Sequence, residues 1–183
     1  MWFRRLLRKK RGTTLQQPAV DEARAIIRNN RYFSLATSNG GKPWVAPIAY
    51  AVDDAYNFYY YSAVNSVHSQ QIRANPLVAV AIFDSTAPSD TADGLQLVGH
   101  VSEVPADHLP QIMDLYFKQS FPDETVRLRW LRPTEDFMGS AVQRFYRLIP
   151  TQIFKPDPTS LKVDIRLPID LDELRRIPAH PTT

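Results

Sequence analysis

The spacing of apolar positions changes period several times along the chain. Pro18 opens a stretch in which Val20, Ala23, Ile26 and Ile27 recur at helical intervals before Asn29 and Asn30, which predicts one amphipathic helix. From Tyr32 the period falls to two. Tyr32 to Thr37 reads as a strand, Ser38-Asn39-Gly40-Gly41 as a tight turn, and Trp44 to Val52 as a second strand returning on the first. Asp53-Asp54 turns the chain into an aromatic strand, Tyr56 to Ser62, so these three runs predict a meander. Ser66 to Ala74 is a short capped helix that stops at Asn75-Pro76, because the proline ring disfavours helical backbone in the residue before it. Leu77 to Phe83 is almost wholly apolar, which implies a strand buried on both faces.

After a loop rich in Ser, Thr, Pro and Asp, Leu95 to Val104 predicts a strand with a bend or bulge at Gly99. Pro105-Ala106-Asp107 starts a longer helix with Leu109, Ile112, Met113, Leu115, Tyr116 and Phe117 on its core side. Phe121 to Leu131 has no readable period. Thr134 to Phe137 reads as a capped helical turn, and Val142 to Phe154 as a final strand interrupted at Pro150. Six of the 15 prolines fall in the last 34 residues, where Lys162 to Leu167 alternates like an edge strand and Leu171 to Arg176 resembles a helical turn. This order predicts an α+β, mainly β fold, an antiparallel barrel with flanking helices. Three parts follow: a basic tail at 1–17, a barrel domain at 18–155 and a Pro-rich extension at 156–183.

Charge is unevenly placed. The formal net charge is +3, but Arg4, Arg5, Arg8, Lys9, Lys10 and Arg11 supply six of the 22 basic residues; the remaining 16 against 19 acidic residues leave a body of −3. A nucleic-acid groove in the barrel therefore has no electrostatic support, and only the first dozen residues suit an anionic surface. With no cysteine, disulfide frameworks and thiolate chemistry are excluded. No apolar run reaches the roughly 20 residues of a spanning helix, and no secretory pattern follows the basic start, so a cytoplasmic protein is the expectation.

Of the phosphate cradles, neither GxGxxG nor GxxxxGK[ST] occurs; GxSxG is absent, and His68, His100, His108 and His180 include no i,i+4 pair, so no metal site is predicted. One stretch carries chemistry. A strand delivers Ser62, and a helix then opens with Ser66, His68 and Ser69 in its first turn. Free N–H groups and partial positive charge at a helix start, completed by hydroxyls and an imidazole, suit a phosphate. Plain capping by Ser66 is the competing explanation. Pro43 and Pro47 beside Trp44 remove ladder donors from their strand, leaving backbone that a flat ligand could face.

At these residues the sequence resembles the pyridoxamine 5'-phosphate oxidase-like, flavin mononucleotide (FMN)-binding split-barrel family. The resemblance spans roughly 19–155 and is most specific in Ser66-Val67-His68-Ser69-Gln70-Gln71-Ile72-Arg73-Ala74-Asn75-Pro76 after a strand end. It implies a six-stranded antiparallel split β-barrel that forms a homodimer with FMN at the interface. By position, Val45, Ala46 and Pro47 would line the isoalloxazine ring, Ser62, Ser66, His68 and Ser69 would hold the phosphate, and Gln96 would reach it from the other subunit. At Val67 the oxidase itself often carries Arg and at His68 often Lys, so one charge is lost and one made pH-dependent. No Arg-x-His substrate element is found, since Arg175, Arg176 and His180 are wrongly spaced, which argues against pyridoxal phosphate synthesis. The expectation is an FMN-dependent oxidoreductase of unnamed substrate and catalytic residues. The rivals are a non-enzymatic flavin, haem or deazaflavin carrier on the same barrel, with His68 or His100 as the choices for a haem ligand, and a surface-binding protein acting through residues 2–11.

Overall fold

Alternation from Tyr32 onward wraps into a single curled sheet. In a computed structural model, residues 17–88, 93–157 and 165–179 are described. The basic segment 1–16, the middle of the loop before Gly94, most of the alternating stretch before Leu167, and His180 lie outside them. Strand β1 (Tyr32–Asn39) turns Phe33, Leu35 and Thr37 inward. Gly40 and Gly41, at φ 57° and 76°, make the two-residue turn into β2 (Lys42–Ala49), which lies antiparallel to β1 with Asn39 opposite Lys42. Both turn positions need positive φ, which glycine adopts without a Cβ penalty.

The chain then leaves β1. Ala51–Val52 (β3) pairs with β4 (Phe58–Ala63), and β4 pairs with β7 (Gln143–Pro156) rather than with β2. With β5 (Leu77–Phe83) and β6 (Gly94–Glu103) the order is β2-β1-β5-β6-β7-β4-β3, and a short β8 (Arg166–Pro168) adds to β7. The two ends of that path, β2 and β3, are joined through the single residue Tyr50, so the sheet curls until its edges meet. That is a split barrel. Six strands are long, as expected; β3 and β8, of two and three residues, bring the total to eight.

Three expectations are corrected. The second strand breaks at Tyr50 instead of running to Val52, because Tyr50 is pinned: its N–H donates to Arg31 O at 3.1 Å, its hydroxyl to Ile27 O at 2.7 Å, and its ring stacks on Phe33. The first three runs are consequently not a meander. And β5 buries one face, not two: Val78, Val80 and Ile82 point inward, while Leu77 and Phe83 are 48% and 51% exposed.

Inside the barrel one core joins the strands to helix α1 (residues 17–29), which contributes Ala19, Val20, Ala23 and Ile27. Residues Ile169, Leu174 and Ala179 enter the same core, and buried Arg24 donates to Leu174 O at 3.2 Å, so helix α5 (Leu171–Arg175) lies against α1. A second core fills the outer side of β3 and β4 beneath helix α3 (Leu109–Ser120), with Phe137 and Phe145. Phe121 to Leu131 holds helix α4 (Glu124–Trp130), capped by Asp123. None of its residues is buried, which is why its apolar positions carry no period.

The bulge forms where Gly99 predicts it. The β6–β7 register shifts between Val98 and Gly99, and Gly99 faces Pro150, whose missing N–H costs no ladder bond there. A Cβ on residue 99 would sit 2.5 Å from Ile149 O, so only glycine fits.

Candidate functional site

Helix α2 (Val67–Ala74) starts at the end of β4, and its cap builds the site. Ser66, in extended backbone, accepts from Ser69 N–H at 3.3 Å and gives its hydroxyl proton to Ser69 Oγ at 2.8 Å. The N–H groups of Val67 and His68 have no helical acceptor, as in any first turn. His68 and Ser69 are buried, and His68 Nε2 lies 2.6 Å from Ser62 Oγ and 3.1 Å from Ser66 Oγ. Neutral imidazole has one acceptor nitrogen. With Ser62 donating to Nε2, the ring proton sits on Nδ1. Burial holds the His68 pKa below its usual value of 6.5, so the ring is neutral at pH 7.

Gln71 fastens this helix to the sheet's open edge: its Nε2 donates to Lys42 O at 2.9 Å, and its Oε1 accepts from Thr37 Oγ1 at 2.6 Å. Edge strand β2 therefore runs beside the hydroxyl cluster. Along it Val45 and Pro47 are exposed and Ala46 turns inward. Of the residues singled out in the sequence, Ser62, Ser66, His68 and Ser69 meet in direct contact. Val67 is exposed and brings no charge. Gln96 lies exposed on β6, opposite Ala81 and Phe154, with β1 and β5 between its strand and β2, so a single chain does not bring it to the cluster.

Sequence reading missed three residues. Arg144 is the cross-strand partner of Ser62 on β7 and so shares its face of the sheet; its guanidinium donates to the Ala141, Gln143 and Gly139 carbonyls and lies 3.7 Å from Glu103. Tyr60 and Tyr146 are paired the same way and stack at 5.3 Å, and the buried Tyr60 hydroxyl has no hydrogen-bond partner among the described residues. Burial raises the pKa of both; the Ser69 hydroxyl beside Tyr146 acts the other way on it, placing this pair beneath the cluster. The cross-strand register, invisible in a sequence, is what assembles all three. Among the described residues no group of three His, Asp or Glu side chains could hold a metal, and no helix is long and apolar enough to cross a membrane.

These features define a split β-barrel protein with a hydroxyl-rich helix start beside an open sheet edge. The family model for pyridoxamine 5'-phosphate oxidase matches residues 19–145, and the chain belongs to that family. No curated protein matches it. Among solved structures, it is similar to a FAD-binding protein from Mesorhizobium loti, at 25% identity over 72% of this chain and 89% of the other, TM-score 0.55. A putative pyridoxamine 5'-phosphate oxidase from Listeria innocua shares 20% identity over 74% and 95%, TM-score 0.55. A heme binding protein from Mycobacterium smegmatis shares 15% over 86% and 60%, TM-score 0.64. The likeness to the last two concerns the fold.

Proposed function

We propose that this chain is a homodimeric, cytoplasmic FMN-binding oxidoreductase. The observation that carries the reading is the junction made by Gln71, which sets the open edge of β2 beside Ser62, Ser66 and Ser69 at the start of α2. The donor set fits a phosphate held by hydrogen bonds: hydroxyls and the free N–H groups of Val67 and His68, with no imidazolium at neutral pH. Val45 to Pro47 would carry the ring against edge backbone, and a bound flavin would supply hydride chemistry. The flavin bound by the Mesorhizobium loti protein supports the choice of ligand.

A second copy suits the outer face of β2, β1, β5 and β6. Val45, Ala36, Ala79 and Val98 form one row across it and Pro47, Ser34, Ala81 and Gln96 the next, without a single acidic or basic side chain. Such a face, with Leu77 and Phe83 at its ends, favours burial against itself, and it would carry Gln96 to the partner.

The purified protein should be yellow, or become so with FMN, and should run as a dimer by light scattering. Ala79→Arg should yield monomer, and exchanging both His68 and Ser69 for Ala should release flavin. Colourless protein that binds no added FMN overturns the reading, and a Soret band in place of flavin bands overturns it in favour of haem.

A further inference from the structure

We propose a second ligand site, for a small planar aromatic anion, in the cavity between the C-terminal ends of α1 and α3. The cavity measures about 640 Å³, within the range of small-molecule sites. Three cations line it, Arg28, Arg31 and Lys118, and no Asp or Glu does. Lys118 is partly satisfied by Asp114 at 2.8 Å, and Arg31 donates to Ser120 O at 3.2 Å, but Arg28 meets no carboxylate among the described residues. Four phenols line it as well, those of Tyr32, Tyr50, Tyr61 and Tyr116. Tyr32 and Tyr61 lie close enough to Tyr116 to add to the burial that pushes its pKa up to about 12. Aromatic faces beside the Arg28 and Arg31 guanidinium groups, neither of which meets a carboxylate among the described residues, select a ring bearing a carboxylate, a sulfonate or a phosphate.

The walls are pre-formed. The Gln119 side chain bonds both the N–H and the C=O of Val52, at 2.9 and 2.7 Å, and Tyr50 is tied to Ile27 O, so β3, the end of β2 and both helix ends are fixed to one another. Little ordering is then left for a ligand to induce. This site is separate from the hydroxyl cluster. Successive strand residues point to opposite faces, and Tyr61, in the core under α3, turns away from the side on which its neighbour Ser62 meets His68. The site does not depend on whether flavin binds.

Calorimetric titration of the full chain with 2-naphthoate, 2-naphthamide and 2-naphthylmethylamine tests it, with and without FMN. The acid should bind at least tenfold more tightly than the amide, and the amine not at all. Exchanging both Arg28 and Lys118 for Gln, exposed positions whose loss leaves the core intact, should abolish the preference for the acid; Tyr32→Ala should weaken acid and amide alike. FMN should leave naphthoate affinity within twofold. Equal affinity for acid and amide, an unchanged preference in the double variant, or competition with FMN would each overturn the assignment. If FMN fails to bind while naphthoate binds as described, the flavin reading fails and this one stands.

Discussion

His68 offers a direct reading of the hydroxyl cluster through pH. Well above pH 6.5, near pH 8, the imidazole is neutral in the folded and the unfolded chain alike, and contributes no slope to stability. Below pH 6.5 the unfolded chain takes up a proton while the buried ring, its pKa depressed, does not. The unfolded state is then favoured, so stability falls as pH drops from about 6.5 to the point where folded His68 itself begins to titrate. A difference of one bound proton sets the steepest slope at about 1.4 kcal/mol per pH unit. Geometry says why the ring resists: protonating Nε2 turns an acceptor into a donor, and the Ser62 hydroxyl at 2.6 Å, which donates to it, must rotate away. In His68→Gln the amide oxygen can accept from Ser62 but does not titrate. Urea unfolding of both proteins from pH 8 to 5 should therefore give a stability difference that is flat near pH 8 and declines as the pH falls through 6.5. Parallel curves across the whole range would refute the buried, neutral assignment. Under the proposed flavin reading, phosphate binding has the opposite sign. A dianion beside the ring stabilises imidazolium, so FMN should bind up to tenfold more tightly per unit of falling pH in the wild type relative to His68→Gln.

Tyr60→Phe removes a fully buried hydroxyl that has no partner among the described residues, and thermal unfolding should show unchanged or higher stability, by about 1 kcal/mol; a loss above that would mean the hydroxyl is satisfied by internal water. Gly99→Ala forces a Cβ against Ile149 O and Leu148, and should cost about 1–3 kcal/mol in urea unfolding, where a neutral outcome would contradict the bulge geometry. Lys155, whose side chain is 3% exposed, bridges Asp93 at 2.7 Å and Glu22 at 3.1 Å. Both carboxylates reach solvent, so Lys155→Met should cost about 1–3 kcal/mol rather than the full value for an enclosed pair. The two carboxylates hold the Lys155 pKa above 10.5 despite burial; the pair's contribution is complete below that value and is lost above it, so wild type and variant should converge in thermal unfolding at high pH.

What could be read from the sequence and what could not divide along physical lines. Local signals hold: the glycines of the β1–β2 turn, the Ser66 cap, the stop at Asn75-Pro76 and the bulge at Gly99 each depend on a few neighbouring residues and form where predicted. The contact of Ser62, Ser66, His68 and Ser69 was legible because all four lie within eight residues. Long-range pairing was not. Nothing local distinguishes a second strand that continues to Val52 from one that crosses at Tyr50 to the opposite edge, because the anchors of Tyr50, Ile27 O and Arg31 O, come from α1 and its loop. Arg144, Tyr146 and Tyr60 were hidden for the same reason, being assembled by the register of β4 on β7.

The strand Leu77 to Phe83 is the instructive failure. Its composition demands burial on both faces, and the chain covers only Val78, Val80 and Ile82. Hydrophobic patterning reports the environment in which a surface ends up, which includes other chains, whereas a fold reports one chain. Fully exposed strand faces ordinarily carry charge, as edges and solvent faces must to stay apart. Here Ala79 and Ala81 continue into Ala36, Val45 and Val98 without any, so the unmet half of the prediction is the part that a second copy would fulfil. The same face carries Gln96, the one proposed flavin contact that the single chain leaves far from the rest. The proposed dimer and the proposed cofactor site thus stand or fall on one surface. Ala79→Arg is predicted to cost flavin together with the partner, and a monomer that kept its FMN would separate the two.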